Sequence, residues 1–252
     1  MRLIEHEFAP DGRVRLAGFL HRPSPEMGAL AVRPAVVVCP GGGYHFLSDR
    51  EAEPIALAYA ALGYHAFVLR YSIGDHAAFP EPLVDLARAM AHIRRHGAEW
   101  GVDPRRIAVC GFSAGGHLAA SLGTLWPEPF LQEAAGAPAE AIRPDALVLS
   151  YPVIVFDIEA FSWMWTPVAA GRSPDEMAGL LSCDRRVGPH VPPVFLWHTR
   201  DDAVVPVAHA LRFADALEAA GRPFELHVFR RGVHGLALSD ARTSPDGAAM
   251  TE

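Results

Sequence analysis

The sequence predicts an α/β protein folded as one large domain, and three observations carry that prediction. Short β-branched runs alternate with longer amphipathic segments, the pattern of a mostly parallel sheet with helices on both faces. A chain of 252 residues, 50% of them hydrophobic, can fill one such core better than two small ones. No internal repeat, linker or low-complexity segment divides it.

The first two strands, Arg2 to Phe8 and Arg13 to Leu20, read as a hairpin turning at Pro10-Asp11-Gly12. Strands then follow at Ala35 to Cys39, His65 to Leu69, Ile107 to Cys110, Ala146 to Ser150, Val194 to His198 and Phe224 to Phe229, eight in all. The clearest helix runs from Pro80 to about His96, because Leu83, Leu86, Met90 and Ile93 fall on one face. Gly97 and then Val102-Asp103-Pro104 end it and lead into the next strand.

Charge narrows the function. The formal net charge is -7, and lysine and arginine never cluster beyond pairs such as Arg94-Arg95 and Arg230-Arg231. Phosphate binding draws on clustered positive charge, so a nucleic-acid partner is not expected. Glu5 and Glu7 interrupt the place where a secretion signal needs an apolar core, and no run reaches membrane-spanning length. A cytoplasmic protein is expected, with a mature secreted chain as the alternative. Cys39, Cys110 and Cys183 are odd in number, and the first two lie in apolar strands as buried free thiols.

The chemistry is concentrated in Gly111-Phe112-Ser113-Ala114-Gly115, a G-x-S-x-G pattern with a buried strand before it and a helix after it. A turn tight enough to lift Ser113 above the sheet edge brings backbones so close that side chains at 111 and 115 would clash. The turn leaves the amide of Ala114 at a helix start, where unpaired N–H groups favour negative charge. The competing reading is a serine that merely caps the helix, a role that needs no flanking glycines.

A nucleophilic serine requires a base, a group to orient the base, and donors for the developing oxyanion. The strand Val36 to Cys39 runs into Pro40-Gly41-Gly42-Gly43-Tyr44, whose bare backbone can approach a substrate. A phosphate cradle is the rival there, but no lysine follows the glycines. Asp201 and Asp202 follow the strand ending at His198, so they emerge at the same sheet edge as Ser113; either can orient a base or cap the next helix. Of 13 histidines, His234 alone sits in a turn after a strand in the order Ser, Asp, His. His92 and His96 have the spacing of helical zinc ligands, but Ile-Arg-Arg between them supplies no acid. His117, four residues beyond Ser113, is expected to pack or hydrogen-bond on the elbow helix.

These pieces resemble the α/β-hydrolase superfamily, and within it the branch of carbohydrate acetyl esterases and feruloyl or acetyl-xylan esterase-like proteins. The resemblance rests on PGGGY at 40–44, GFSAGGHLAA at 111–120, YPV at 151–153, HTRDDAVVPV at 198–207 and GVHGLAL at 232–238. It implies Ser113 as nucleophile, His234 as base and Asp202 as orienting acid, with Asp201 in reserve. It also implies an oxyanion hole from Ala114 with Gly42 and Gly43, and Tyr44 as a substrate contact. The implied reaction is hydrolysis of a small ester, an acetylated sugar first among candidates, without metal or organic cofactor. An amidase, thioesterase or peptidase would share these residues, and a binding protein that had lost its chemistry would share the scaffold. Two stretches depart from the pattern: residues near 154–190 read as a small cap-like insertion, and the Ser/Pro/Gly-rich tail 239–252 as disordered or cut short before a closing helix.

Overall fold

The computed structural model describes residues 1–157, 159–240 and 243. Its strands are β1 (Arg2–Glu7), β2 (Arg15–Leu20), β3 (Arg33–Cys39), β4 (His65–Arg70), β5 (Val102–Phe112), β6 (Ala146–Ser150), β7 (Val194–Thr199) and β8 (Phe224–Phe229). Its helices are α1 (Glu53–Ala61), α2 (Glu81–Arg95), α3 (Gly97–Trp100), α4 (Ala114–Leu125), α5 (Pro129–Ala135), α6 (Ala139–Ile142), α7 (Ser162–Ala169), α8 (Pro174–Leu181) and α9 (Ala208–Ala219). The expected disordered tail lies outside the described residues apart from Ser239, Asp240 and Thr243.

The strands form one sheet in the order β1-β2-β4-β3-β5-β6-β7-β8. β1 and β2 form the antiparallel hairpin, β2 runs antiparallel to β4, and every pair from β4 to β8 is parallel. Alternation along β3 shows both faces buried: Ala35, Val37 and Cys39 join the core with α2, α4 and α9, while Val36 and Val38 join Ile55 and Ala56 of α1. The stripe predicted for α2 is its core face, with Leu83, Leu86, Met90 and Ile93 all buried. The three cysteines are free and buried, and burial pushes the Cys110 thiol up to about 12.

Strand order places the site. The chain steps from β3 outward to β4 and then returns to the other side of β3 with β5, so a crevice opens between the carboxyl ends of β3 and β5. The glycine run leaves β3 at that crevice and Ser113 leaves β5. Asp202 follows β7 and His234 follows β8, three strand spacings or roughly 14 Å from β5. The loop after β8 must therefore travel back across β7 and β6. Two bonds hold it on that path: Thr199 Oγ1 donates to the Gly232 carbonyl at 2.8 Å, and the Ala237 N–H donates to the Tyr151 hydroxyl at 2.8 Å. No helix among the described residues is long and apolar enough to cross a membrane.

Candidate active site

Ser113 sits between β5 and α4 with φ 52 and ψ -116, left-handed values that cost a non-glycine residue about 1–3 kcal/mol. The glycines explain how the turn closes. A Cβ at 111 would run into the carbonyl of Gly115, and one at 115 into the carbonyl of Cys39, so only hydrogen fits at either place. The Ser113 N–H donates to Ser150 O at 3.1 Å, and its own carbonyl accepts from His117 N and Val153 N at 3.0 and 3.1 Å. Its side chain makes no helix cap, which removes the capping explanation. Instead, Ser113 Oγ lies 2.9 Å from His234 Nε2.

On the other side of the imidazole, His234 Nδ1 is 2.7 Å from Asp202 Oδ2. An ionised carboxylate only accepts, so Nδ1 carries the proton and Nε2 is left to accept from Ser113. The remaining carboxylate oxygen, Oδ1, accepts the N–H groups of Val204 and Val205, both at 2.9 Å. Burial works to raise the Asp202 pKa, but hydrogen bonds from His198 and His234, the favourable electrostatics of the His234 ring and the Val205 amide outweigh it and hold the carboxyl well below its ordinary range. Asp201 points outward and pairs loosely with Arg200 at 3.5 Å. Of the two aspartates, then, the fold brings Asp202 to the histidine.

Gly42 and Gly43 line the cavity with Ser113 and His234, and both have positive φ, 129 and 62. Ala114 opens α4, so no earlier turn of helix takes up its amide. The cavity has a volume of about 190 Å³. Its wall is largely apolar, built from Phe46, Val153, Phe161, Trp163, Met164 and Val205. A Cβ at 43 would strike the Trp163 ring, so that glycine lets the indole pack directly on the loop. His45 stacks on the same ring, 6.1 Å between centres.

Tyr44 requires a correction. It is buried, is absent from the cavity wall, and points its hydroxyl at His117 Nδ1, 2.8 Å away. It packs beneath the glycine loop, away from the cavity that Ser113 and His234 line. The reason lies in its backbone: with φ 63 the chain turns back at 44 and carries the ring into the core. His117 is the packing and hydrogen-bonding residue expected, its Nε2 held 2.9 Å from Leu181 O. His92 and His96 pack in a ring cluster with His6 of β1 and with Trp100.

Sequence reasoning missed Glu51, Tyr151, His198 and His209. Glu51 is buried beneath the glycine loop and lines the cavity; His198 Nε2 lies 2.8 Å from Val205 O and 3.5 Å from Asp202 Oδ2. His209 Nδ1 accepts the N–H groups of Ile154 and Val155 at 3.0 and 3.2 Å, pinning the start of the segment that holds α7. The only signals available were the YPV motif and the HTRDD run, neither of which identifies a partner.

Burial holds the imidazoles of His117 and His209 down, each at about 4. An unfolded histidine titrates near ~6.5, so between there and about 4 the unfolded chain binds protons that the folded one refuses. Stability is therefore expected to fall as pH drops through that window, by about 1.4 kcal/mol per pH unit for each group. Urea unfolding at pH 7, 6 and 5 checks this; a midpoint that stays constant contradicts it.

The sheet, the strained serine turn and the aligned side chains define an α/β-hydrolase fold. The chain belongs to the BD-FAE family, whose model matches residues 24–217. That span includes Ser113 and Asp202 and stops before His234, whose place rests on the geometry above. Endo-1,4-beta-xylanase B of Butyrivibrio fibrisolvens is 33% identical over 216 residues, 82% of this chain and 33% of that protein. The acetylxylan esterase of Xylanibacter ruminicola is 28% identical over 235 residues, 90% of this chain and 45% of that protein. The chain thus spans less than half the length of these two relatives. Among solved structures, an acetyl ester-xyloside bifunctional hydrolase from Caldicellulosiruptor lactoaceticus superposes with a TM-score of 0.79 at 38% identity, covering 89% of this chain and 80% of that one.

Proposed function

We propose that the protein is a serine carboxylic ester hydrolase that removes small acyl groups, acetyl foremost, from carbohydrate or similar alcohols. The observation that carries the reading is the unbroken line from Asp202 through His234 to Ser113, at 2.7 and 2.9 Å, opening on an apolar cavity. Ser113 Oγ attacks the ester carbonyl as His234 Nε2 takes its proton, and Asp202 stabilises the imidazolium that forms. The N–H groups of Ala114 with Gly42 and Gly43 receive the oxyanion. His234 then protonates the leaving alcohol, and an acyl-enzyme remains until the same imidazole activates water. The names of the xylanase and of the acetyl and acetylxylan esterase relatives support an acetylated sugar as substrate. The segment 154–190, which carries α7 and α8, serves as the cover over the acyl group.

Nitrophenyl esters of increasing acyl length, run beside acetylated xylo-oligosaccharides, test the reading. Acetate and butyrate esters are expected to be cleaved fastest, with acetate released from the oligosaccharides; no hydrolysis of any ester would end it. Trp163 is the wall most open to change. Each buried methylene is worth about 0.8 kcal/mol, so a Trp163→Ala cavity that admits two more should raise kcat/KM for hexanoate relative to acetate by roughly fifteenfold. An unchanged ratio would place the acyl group elsewhere.

A further inference from the structure

We propose that Glu51 is a positioning residue that, through Tyr151, sets the oxyanion loop and the His234 loop against each other as one buried unit. Glu51 is 2% exposed. Its Oε2 accepts the Gly41 N–H at 2.9 Å, and its Oε1 accepts the Tyr151 hydroxyl at 2.8 Å. That hydroxyl in turn accepts the Ala237 N–H at 2.8 Å. One chain of bonds therefore runs from the loop after β3, across the loop after β6, to the loop after β8.

Burying a carboxylate is costly unless its oxygens are satisfied. Glu51 has no ion-pair partner among the described residues; one of its donors lies on the glycine loop, and the other, Tyr151, packs against His234 and accepts from the loop that carries that histidine. Gly41 abuts the nucleophile: a Cβ there would stand 2.7 Å from Glu51 Oε2 and 3.0 Å from Ser113 Cβ. Tyr151 is held at φ 37, a left-handed value that a bulky residue adopts only when its surroundings demand it. The result of that conformation is visible: the ring stands edge-on to His234 with 5.1 Å between centres while its hydroxyl reaches Glu51. The brace thus holds the glycine next to the oxyanion donors at one end and packs against the base at the other.

The inference rests on the ester-hydrolase reading, and its test separates the two. Displacing a hole or base by a fraction of an ångström lowers turnover more than affinity. Tyr151→Phe, which removes only the hydroxyl, is expected to lower kcat about tenfold with KM changed less than twofold, and Glu51→Ala to lower kcat about a hundredfold. The double variant should be no worse than Glu51→Ala alone, because both break the same chain. Glu51→Gln can still accept from Gly41 and donate to Tyr151, and should recover about tenfold over Glu51→Ala. The same ranking is expected in the rate of Ser113 phosphonylation by a fluorophosphonate, which needs no correct ester. Losses that multiply in the double variant, or a fall in melting temperature with kcat unchanged, would overturn the brace. An intact phosphonylation ranking with no ester cleaved would overturn the ester reading and leave the brace standing.

Discussion

Ser113→Ala is expected to lower turnover on a short-chain ester by about 10⁴- to 10⁶-fold while leaving the fold and its melting temperature nearly unchanged. The size follows from the alignment: among the described residues Oγ is the hydroxyl that meets His234 Nε2, at 2.9 Å. Ser48 also lines the cavity, but it precedes the short turn Asp49–Glu51, not the elbow that presents Ser113 to His234. The fold should survive because the strain at 113 is in the backbone, held by the bonds to Ser150, His117 and Val153, and none of these uses Oγ. Binding of substrate by the apolar wall should persist, so KM changes little. Undiminished hydrolysis by this variant would remove Ser113 from the mechanism.

Asp202→Asn should cost about 10⁴-fold in kcat, and Asp201→Asn less than twofold. An asparagine at 202 can keep its oxygen on the Val204 and Val205 amides, which turns its NH₂ toward His234 Nδ1. That donor forces the proton onto Nε2, and an imidazole protonated there cannot accept from Ser113. Geometry is preserved and the tautomer is wrong. Asp201 has an exposed side chain that pairs with Arg200 at 3.5 Å, and an exposed pair of that kind is screened by solvent. Steady-state kinetics on both variants decide the matter, and the reverse ranking would exchange the roles of the two aspartates.

Much of this was legible in the residues because the signals are local. A strand such as Val36 to Cys39 announces itself by composition, and the glycines around Ser113 announce the close approach that the clash of 111 with 115 makes physical. The order Ser113, Asp202, His234 and the parallel sheet together place three distant residues on one edge. What stayed hidden depends on contacts between residues far apart in the chain. Glu51 and Tyr151 are 100 positions apart, and nothing near either one records the bond. Adjacency to the glycine run suggests an exposed Tyr44, while a left-handed turn at that residue sends the ring inward. The strand order that puts β3 beside β5 is likewise a property of the whole sheet, and it alone explains why the glycine loop borders the serine.

Ser113, activated by His234, is the proposed nucleophile. Intact-mass and peptide mapping after treatment with a fluorophosphonate tests it most directly, since the Oγ–P bond forms only as fluoride leaves and the imidazole takes the proton. One adduct is predicted, on the peptide containing Gly111 to Gly116, and it should vanish in His234→Ala under the same conditions. An adduct on another residue, or an unmodified protein, would contradict a Ser113 nucleophile.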